Sequence, residues 1–266
     1  MHYLNGLTLG RYFEGDSIIH RLDPRSKLIC ALLLMVAVIT IGSIIGIVLF
    51  MFLSMALFLL ADIPLRLFWN NLRMFFLLYA ITFAIHLFFH PGNAIIQLPL
   101  LGWEITFEGI RAGILFTVRI AVLISISTLL MSVTTPQDLT DGLEKLFRPL
   151  TGLRVPVSEG ALMISIALRF VPILMQEAVK IQQAQVSRGA DMEGSWIVRI
   201  RKSLPMILPL FAGALKKADD LALALEARGY RGGKGRTKLV ELRIQQRDVT
   251  ALFLTCAIFL SFLLLG

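Results

Sequence analysis

The residues best suited to chemistry gather near position 230, where Glu226–Lys238 reads EARGYRGGKGRTK. A glycine-rich run of this kind could cradle a phosphate on its backbone N–H groups. That device needs four residues between its first glycine and a Gly-Lys pair, then Ser or Thr, and it follows a strand. Here three residues separate Gly229 from Gly233, Gly235 follows Lys234, and a helical pattern precedes the run. No nucleotide is expected on it. An RNA site would interleave aromatic side chains for stacking, whereas Tyr230 stands alone, so no nucleic-acid partner is expected either. Arg231–Lys238 instead reads as a solvated linker that attracts the anionic headgroups of membrane lipid. His86 and His90 stand one helical turn apart, a spacing compatible with a metal, but no third ligand is near and helix-end packing is the expectation. Cys30 and Cys256 lie in apolar segments at opposite ends of the chain and indicate neither a disulfide framework nor a zinc site. No nucleophile is paired with a base in a recognisable context, so no catalytic residue is expected.

A repeated helix ending carries more information. Gln176–Val186 runs into Ser187-Arg188-Gly189, and Lys216–Glu226 runs into Ala227-Arg228-Gly229. At an offset of 40, Leu174, Ala178, Ile181, Gln185 and Arg188 match Ala214, Ala218, Leu221, Leu225 and Arg228. Their spacing places each set on one helical face with the arginine at its tip. Glycine supplies the left-handed residue that closes a helix. Arginine in the last turn suits the helix dipole and offers a planar fork to carboxylates or carbonyls. One such ending is a common cap; two at matched positions point to a paired docking device.

The elements that must carry these endings belong to a membrane protein. Hydrophobic residues make up 56% of the chain and charged ones 17%, with a mean hydropathy of +0.77, far from the roughly one-quarter charged composition of soluble domains. Leu28–Ala61 is uncharged and too long for one span of about 20 residues; Gly42-Ser43 divides it. Further spans are expected at Leu72–Phe89, Gly109–Met131 and Thr250–Leu265. Of 26 Lys and Arg, 18 fall between 132 and 248, and none falls in the His90–Glu108 loop. The positive-inside rule then sets segment 1–27 in the cytosol, spans one to four within 28–131, a cytosolic domain at 132–248 and a last span at 249–266. The chain is expected to be a multi-pass protein of the plasma membrane, with a cytoplasmic N-terminus, an external C-terminus and no cleavable signal. Within 132–248, Ala161–Met175 and Leu204–Leu215 are nearly as apolar as spans but carry Pro172, Pro205 and Pro209. They read as too short or too broken to cross, and as helices lying on the membrane or on each other. Arg119 is an intramembrane charge, expected to line a face between subunits. The fold class is all-α: about five transmembrane helices plus a cytosolic or interfacial helical domain containing two long amphipathic helices.

These features resemble a known family. The N-terminal YFEGDSIIHRLDPRSKL (Tyr12–Leu28), the five-span layout and the paired Arg-Gly endings are similar to the transmembrane coupling component of energy-coupling factor (ECF) importers, over essentially the whole chain. The resemblance implies a non-enzymatic scaffold assembled with two cytosolic ATP-binding-cassette ATPases and one membrane-embedded substrate-binding component. It implies no cofactor on this chain, with ATP and Mg held by the ATPases. It also implies that the two coupling helices cross and that each Arg-Gly tip enters a groove of one ATPase. Those roles would fall on Ser187, Arg188 and Gly189 for one ATPase, and on Ala227, Arg228 and Gly229 for the other. Leu174, Ala178, Ile181, Ala218, Leu221 and Leu225 would belong to partner-facing helices that pass ATP-driven motion onward for vitamin or micronutrient uptake. Ser187 departs from the Ala-Arg-Gly form while keeping a small residue. A conventional permease, binding substrate among Thr82, Ser125, Ser127 and Thr128, and a membrane-anchored RNA-binding protein are the competing expectations.

Overall fold

A computed structural model describes residues 12–13, 15–92, 94–98, 103–153, 155–189, 196–230, 232 and 244–265. The chain divides into two compact units, Met1–Leu143 with Leu242–Gly266, and Glu144–Glu241.

In the first unit, Asp23 opens α1 (Pro24–Thr40) by accepting from the Arg25 N–H at 3.0 Å, with Pro24 in the first turn, where its missing donor costs nothing. The expected break at Gly42-Ser43 is a change of helix: Ile41 is extended, and the Ser43 hydroxyl caps α2 (Ile44–Leu60) through the Gly46 N–H at 3.2 Å. The third span is two helices, α3 (Leu65–Met74) and α4 (Phe76–Phe89), bent by 53° at Phe75. α5 (Phe107–Val133) starts on Thr106, whose hydroxyl accepts from the Gly109 N–H at 3.0 Å and donates to the His90 carbonyl at 3.1 Å. A β-carbon on Gly109 would come within 2.9 Å of the His86 carbonyl oxygen, so glycine lets α5 begin against the end of α4. α6 spans Pro136–Phe147 and α9 spans Gln246–Leu265.

The segment between α4 and α5, read from sequence as loop, contains an antiparallel hairpin of β1 (Ala94–Leu98) and β2 (Trp103–Thr106). Its register pairs Ile96 with Ile105, Gln97 with Glu104 and Leu98 with Trp103. The cue was present in AIIQL and WEIT, two β-prone runs separated in sequence by Pro-Leu-Leu-Gly. Apart from this hairpin, the described elements are helical.

The unit's core lies where α1, α2 and α5 meet. Val38, Ile47, Phe50 and Val122 are almost completely buried there, and Phe262 of α9 closes edge-on over Phe50 at 5.0 Å. A second cluster joins Phe58, Phe68, Leu129 and Val133, with the Phe58 and Phe68 rings 5.2 Å apart. No residue of α4 is buried; Phe76, Leu77, Ile81, Ile85 and Phe89 all face outward, as a span surface facing lipid or a partner would.

Polar contacts fix the helix directions. Asp248, 2% exposed in the first turn of α9, accepts from the Asp23 N–H at 2.7 Å, so α1 and α9 start at the same end. Lys27, in the first turn of α1, donates to the Val133 carbonyl at 2.8 Å, so α5 finishes where α1 begins. α1 and α9 therefore run in parallel, with α5 opposed to both.

The second unit holds α7 (Val157–Ser187) and α8 (Trp196–Ala227). Both run unbroken through the prolines expected to interrupt them, Pro172 in α7 and Pro205 and Pro209 in α8. A proline deletes one hydrogen bond from the ladder; Leu204, Met206, Leu208 and Leu210 beside the α8 prolines are strong helix formers, whereas Pro172 sits between Val171 and Ile173. This corrects the expectation of short, broken helices. α5, α7 and α9 are each long and apolar enough to cross a membrane, and α3 with α4 makes a fourth such element. α1 and α2, at 17 residues each, sit at the lower limit of about 17–25 residues.

Candidate functional site

The two matched helix ends are built alike. α7 closes with the Arg188 N–H on the Ala184 carbonyl at 3.2 Å and the Gly189 N–H on the Val186 carbonyl at 2.9 Å. α8 closes with the Arg228 N–H on Ala224 at 3.1 Å and the Gly229 N–H on Glu226 at 2.8 Å. Each bond has its counterpart 40 residues away. Gly189 and Gly229 take φ of +88° and +73°, the left-handed conformation that an L side chain resists. At α8 the Tyr230 N–H also bonds the Leu225 carbonyl at 3.0 Å, completing the two-bond reverse turn that ends many helices. Ser187, Arg188, Ala227 and Arg228 are all exposed, and neither guanidinium bonds another described residue. Two arginine forks thus carry no bond to another described residue, and their chemistry suits pairing with carboxylates or carbonyls.

Behind the tips, α7 and α8 pack together. Over the stretch nearest the tips, from 171 in α7 and 211 in α8, the partly shielded positions are Leu174, Glu177, Ala178, Ile181 and Gln185, and Gly213, Ala214, Lys217, Leu221 and Leu225. Four of the five pairs fall at the offset of 40. Ala218, matched to Ala178 in the sequence, is exposed, and Lys217 occupies that side of α8 instead. Leu174, Ala178, Ile181, Leu221 and Leu225 are thus partly shielded in this structure. The open apolar surface is carried by other residues: Val171, Met175 and Val186 in α7, and Leu208, Phe211, Leu215 and Leu223 in α8. Lys217 Nζ reaches Glu177 Oε2 at 2.8 Å across the pair.

Arg119 turns into its own chain. Its guanidinium donates to the Val38 carbonyl at 3.2 Å and to the Ile41 carbonyl, and it lies 4.9 Å from the centre of the Phe116 ring. It satisfies carbonyls left over at the end of α1. This intrachain role is one that the sequence did not indicate. His86 stacks on the same Phe116 at 4.4 Å and donates from Nδ1 to the Thr82 carbonyl at 2.8 Å, which makes it a packing residue.

Three of the four hydroxyls that a substrate-binding permease would use donate within their own helices, and Ser127 is exposed. Thr82, Ser125 and Thr128 donate to the Leu78, Ala121 and Ile124 carbonyls of their own helices at 2.7–2.9 Å. Thr128 also accepts from Asn71 at 2.6 Å, tying α3 to α5. A cavity of about 370 Å³ in this unit is walled mainly by apolar groups such as Leu34, Leu57, Ile126, Leu129 and Leu254.

The N-terminal motif is a clip. Phe13 donates its N–H to the Ser132 carbonyl at 2.9 Å, and Lys27 donates to the His20 and Val133 carbonyls at 2.8 Å each. His20 Nε2 lies 2.9 Å from the Phe13 carbonyl, which can only accept; a neutral ring then accepts the Ser17 hydroxyl at Nδ1, 2.7 Å away. Asp248 adds α9 by receiving the Asp23 and Gln245 N–H groups on separate oxygens. Sequence reasoning missed Asp248, because its partner is 225 residues distant. The basic run Arg231–Lys238 lies, except for Gly232, outside the described residues.

Comparison with known proteins agrees with this arrangement. The family model described as a cobalt transport protein, CbiQ, matches residues 15–239. A protein of Thermosediminibacter oceani, named energy-coupling factor transporter transmembrane protein EcfT, is 39% identical over 94% of this chain and 94% of its own length. A protein of the same name from Acidaminococcus fermentans is 40% identical over 99% and 98%. Another from Listeria innocua is 40% identical over 95% of each chain. With paired Arg-Gly helix ends on an apolar helical scaffold, and relatives matching it nearly end to end, the chain belongs to the CbiQ/EcfT family of transporter transmembrane proteins.

Proposed function

We propose that this chain is the coupling scaffold of an ECF-type importer. Two cytosolic ATP-binding-cassette ATPases dock on it, one at Ser187-Arg188-Gly189 and the other at Ala227-Arg228-Gly229. A membrane-embedded substrate-binding component lies against the exposed apolar flanks of α7 and α8 and delivers a vitamin or similar micronutrient inward. ATP and Mg belong to the ATPases, and this chain performs no chemistry. When ATP draws the ATPases together and hydrolysis lets them part, helices pinned to both change their crossing, and the substrate-binding component responds by reorienting. On this reading the N-terminus and both tips are cytosolic. The parallel course of α1 and α9 then carries the C-terminus to the outer face.

The observation supporting this most strongly is the pair of exposed arginines on helix ends related residue by residue at an offset of 40. The occupied hydroxyls of Thr82, Ser125 and Thr128 favour it over a permease that binds substrate within its own spans. The test is to purify tagged complexes from membranes carrying Arg188→Ala, Arg228→Ala or both. Each single variant is expected to weaken retention of the ATPases, and the double variant to abolish it together with ATP hydrolysis by the purified complex. Undiminished ATPase retention in the double variant would refute the proposal.

A further inference from the structure

The offset of 40 that relates the two tips also relates the two members of the ion pair behind them. Glu177 and Lys217 are 40 residues apart and bonded at 2.8 Å. In a pair of helices related by approximate two-fold symmetry, residue i touches its counterpart only at the crossing point, on the symmetry axis. The Glu177–Lys217 contact marks that point. Arg188 and Arg228 each stand eleven residues beyond it, an arm of about 16 Å at 1.5 Å per residue.

The other matched positions on the shielded sides are apolar save Gln185: Leu174 and Ala214, Ile181 and Leu221, and Leu225 opposite Gln185 in the offset. Apolar contacts are non-directional and repeat every turn, so they would tolerate a slip of α7 along α8. Such a slip would lengthen one arm and shorten the other by about 5.4 Å for one turn. Among the described residues, Glu177–Lys217 is the ion pair joining the helices. Its side chains are about one-third exposed, 36% and 33%, so it adds little stability; a single charged contact in an apolar stripe instead specifies register.

We propose that Glu177 and Lys217 are positioning residues. They fix where α7 crosses α8, so that the two docking tips keep equal reach and ATPase motion arrives symmetrically. This rests on the reading of the tips as ATPase docking points. The test uses the full complex in lipid nanodiscs, with spin labels on cysteines replacing exposed Gln183 and Leu223, four residues short of each tip, in a background where Cys30 and Cys256 are serine. Pulsed dipolar spectroscopy then reads the distance between the labels. The unmodified pair is expected to give one narrow distribution. Glu177→Lys and Lys217→Glu are each expected to lose it to a broad or shifted one, and the charge-swapped double variant to restore it. An unchanged distribution in the single variants would overturn the proposal. So would a swap that behaves no better than the singles, whatever the singles do to assembly. ATPase retention by the Arg188→Ala, Arg228→Ala variant is measured alongside. Retention there would defeat the docking reading itself, whereas ATPase loss there with intact distances in the charge variants defeats only the pivot.

Discussion

Asp248 shows how a single side chain can organise the membrane unit. Its two carboxylate oxygens each receive a backbone N–H, from Asp23 and from Gln245, in a site only 2% exposed. Asp248→Asn keeps the shape but retains one acceptor oxygen and turns an NH₂ toward the other donor. The cost of a buried donor left unpaired is about 1–3 kcal/mol, so the detergent-purified variant should unfold at a lower temperature while its helix tips remain intact. An unchanged melting curve would show that the clip does not hold α1 to α9. Arg188 and Arg228 were legible in the sequence because a helix cap is a local affair: arginine, then glycine, repeated. Asp248 was not, since its role depends on a residue at the other end of the chain. Arg119 was legible as a charge inside a span, but not as a cap for α1, because sequence does not reveal which neighbouring helix ends beside it.

At the scale of elements, apolar runs located α1, α2, α5 and α9 within a few residues, and Ser43 explains why the long run divides at Gly42-Ser43. The prolines misled in one direction: α7 and α8 continue through them. The bend at Phe75 falls within an apolar stretch with no proline or glycine to announce it. The facing stripes were legible as stripes, but their partner was not, because periodicity reports a buried side without saying what buries it. For α7 the phase between stripe and tip should matter more than its length. Two alanines inserted after Gln182 rotate Arg188 by about 200° from the stripe, whereas four rotate it by about 400°, nearly back into phase. Retention of one ATPase is expected to fall with two and to recover substantially with four. Equal losses would indicate that tip orientation is not set by the packed stripe.

At the scale of the whole molecule, several polar groups among the described residues serve the chain's own architecture. Thr82, Ser125 and Thr128 bond carbonyls of their own helices, Arg119 caps α1, and Lys27, His20 and Asp248 clip three helix ends together. Against that background the exposed arginines at two matched helix ends stand out as the groups proposed to meet another protein. The central claim is that those ends meet ATPases in the cytosol. A photo-crosslinking amino acid placed at Ser187 or at Ala227, beside each arginine and equally exposed, tests it most directly in intact cells, with exposed Phe253 of α9 as control. The account predicts an adduct with an ATP-binding-cassette subunit from both tips and none from Phe253. Tips that capture only lipid, or only an integral membrane protein, would contradict it.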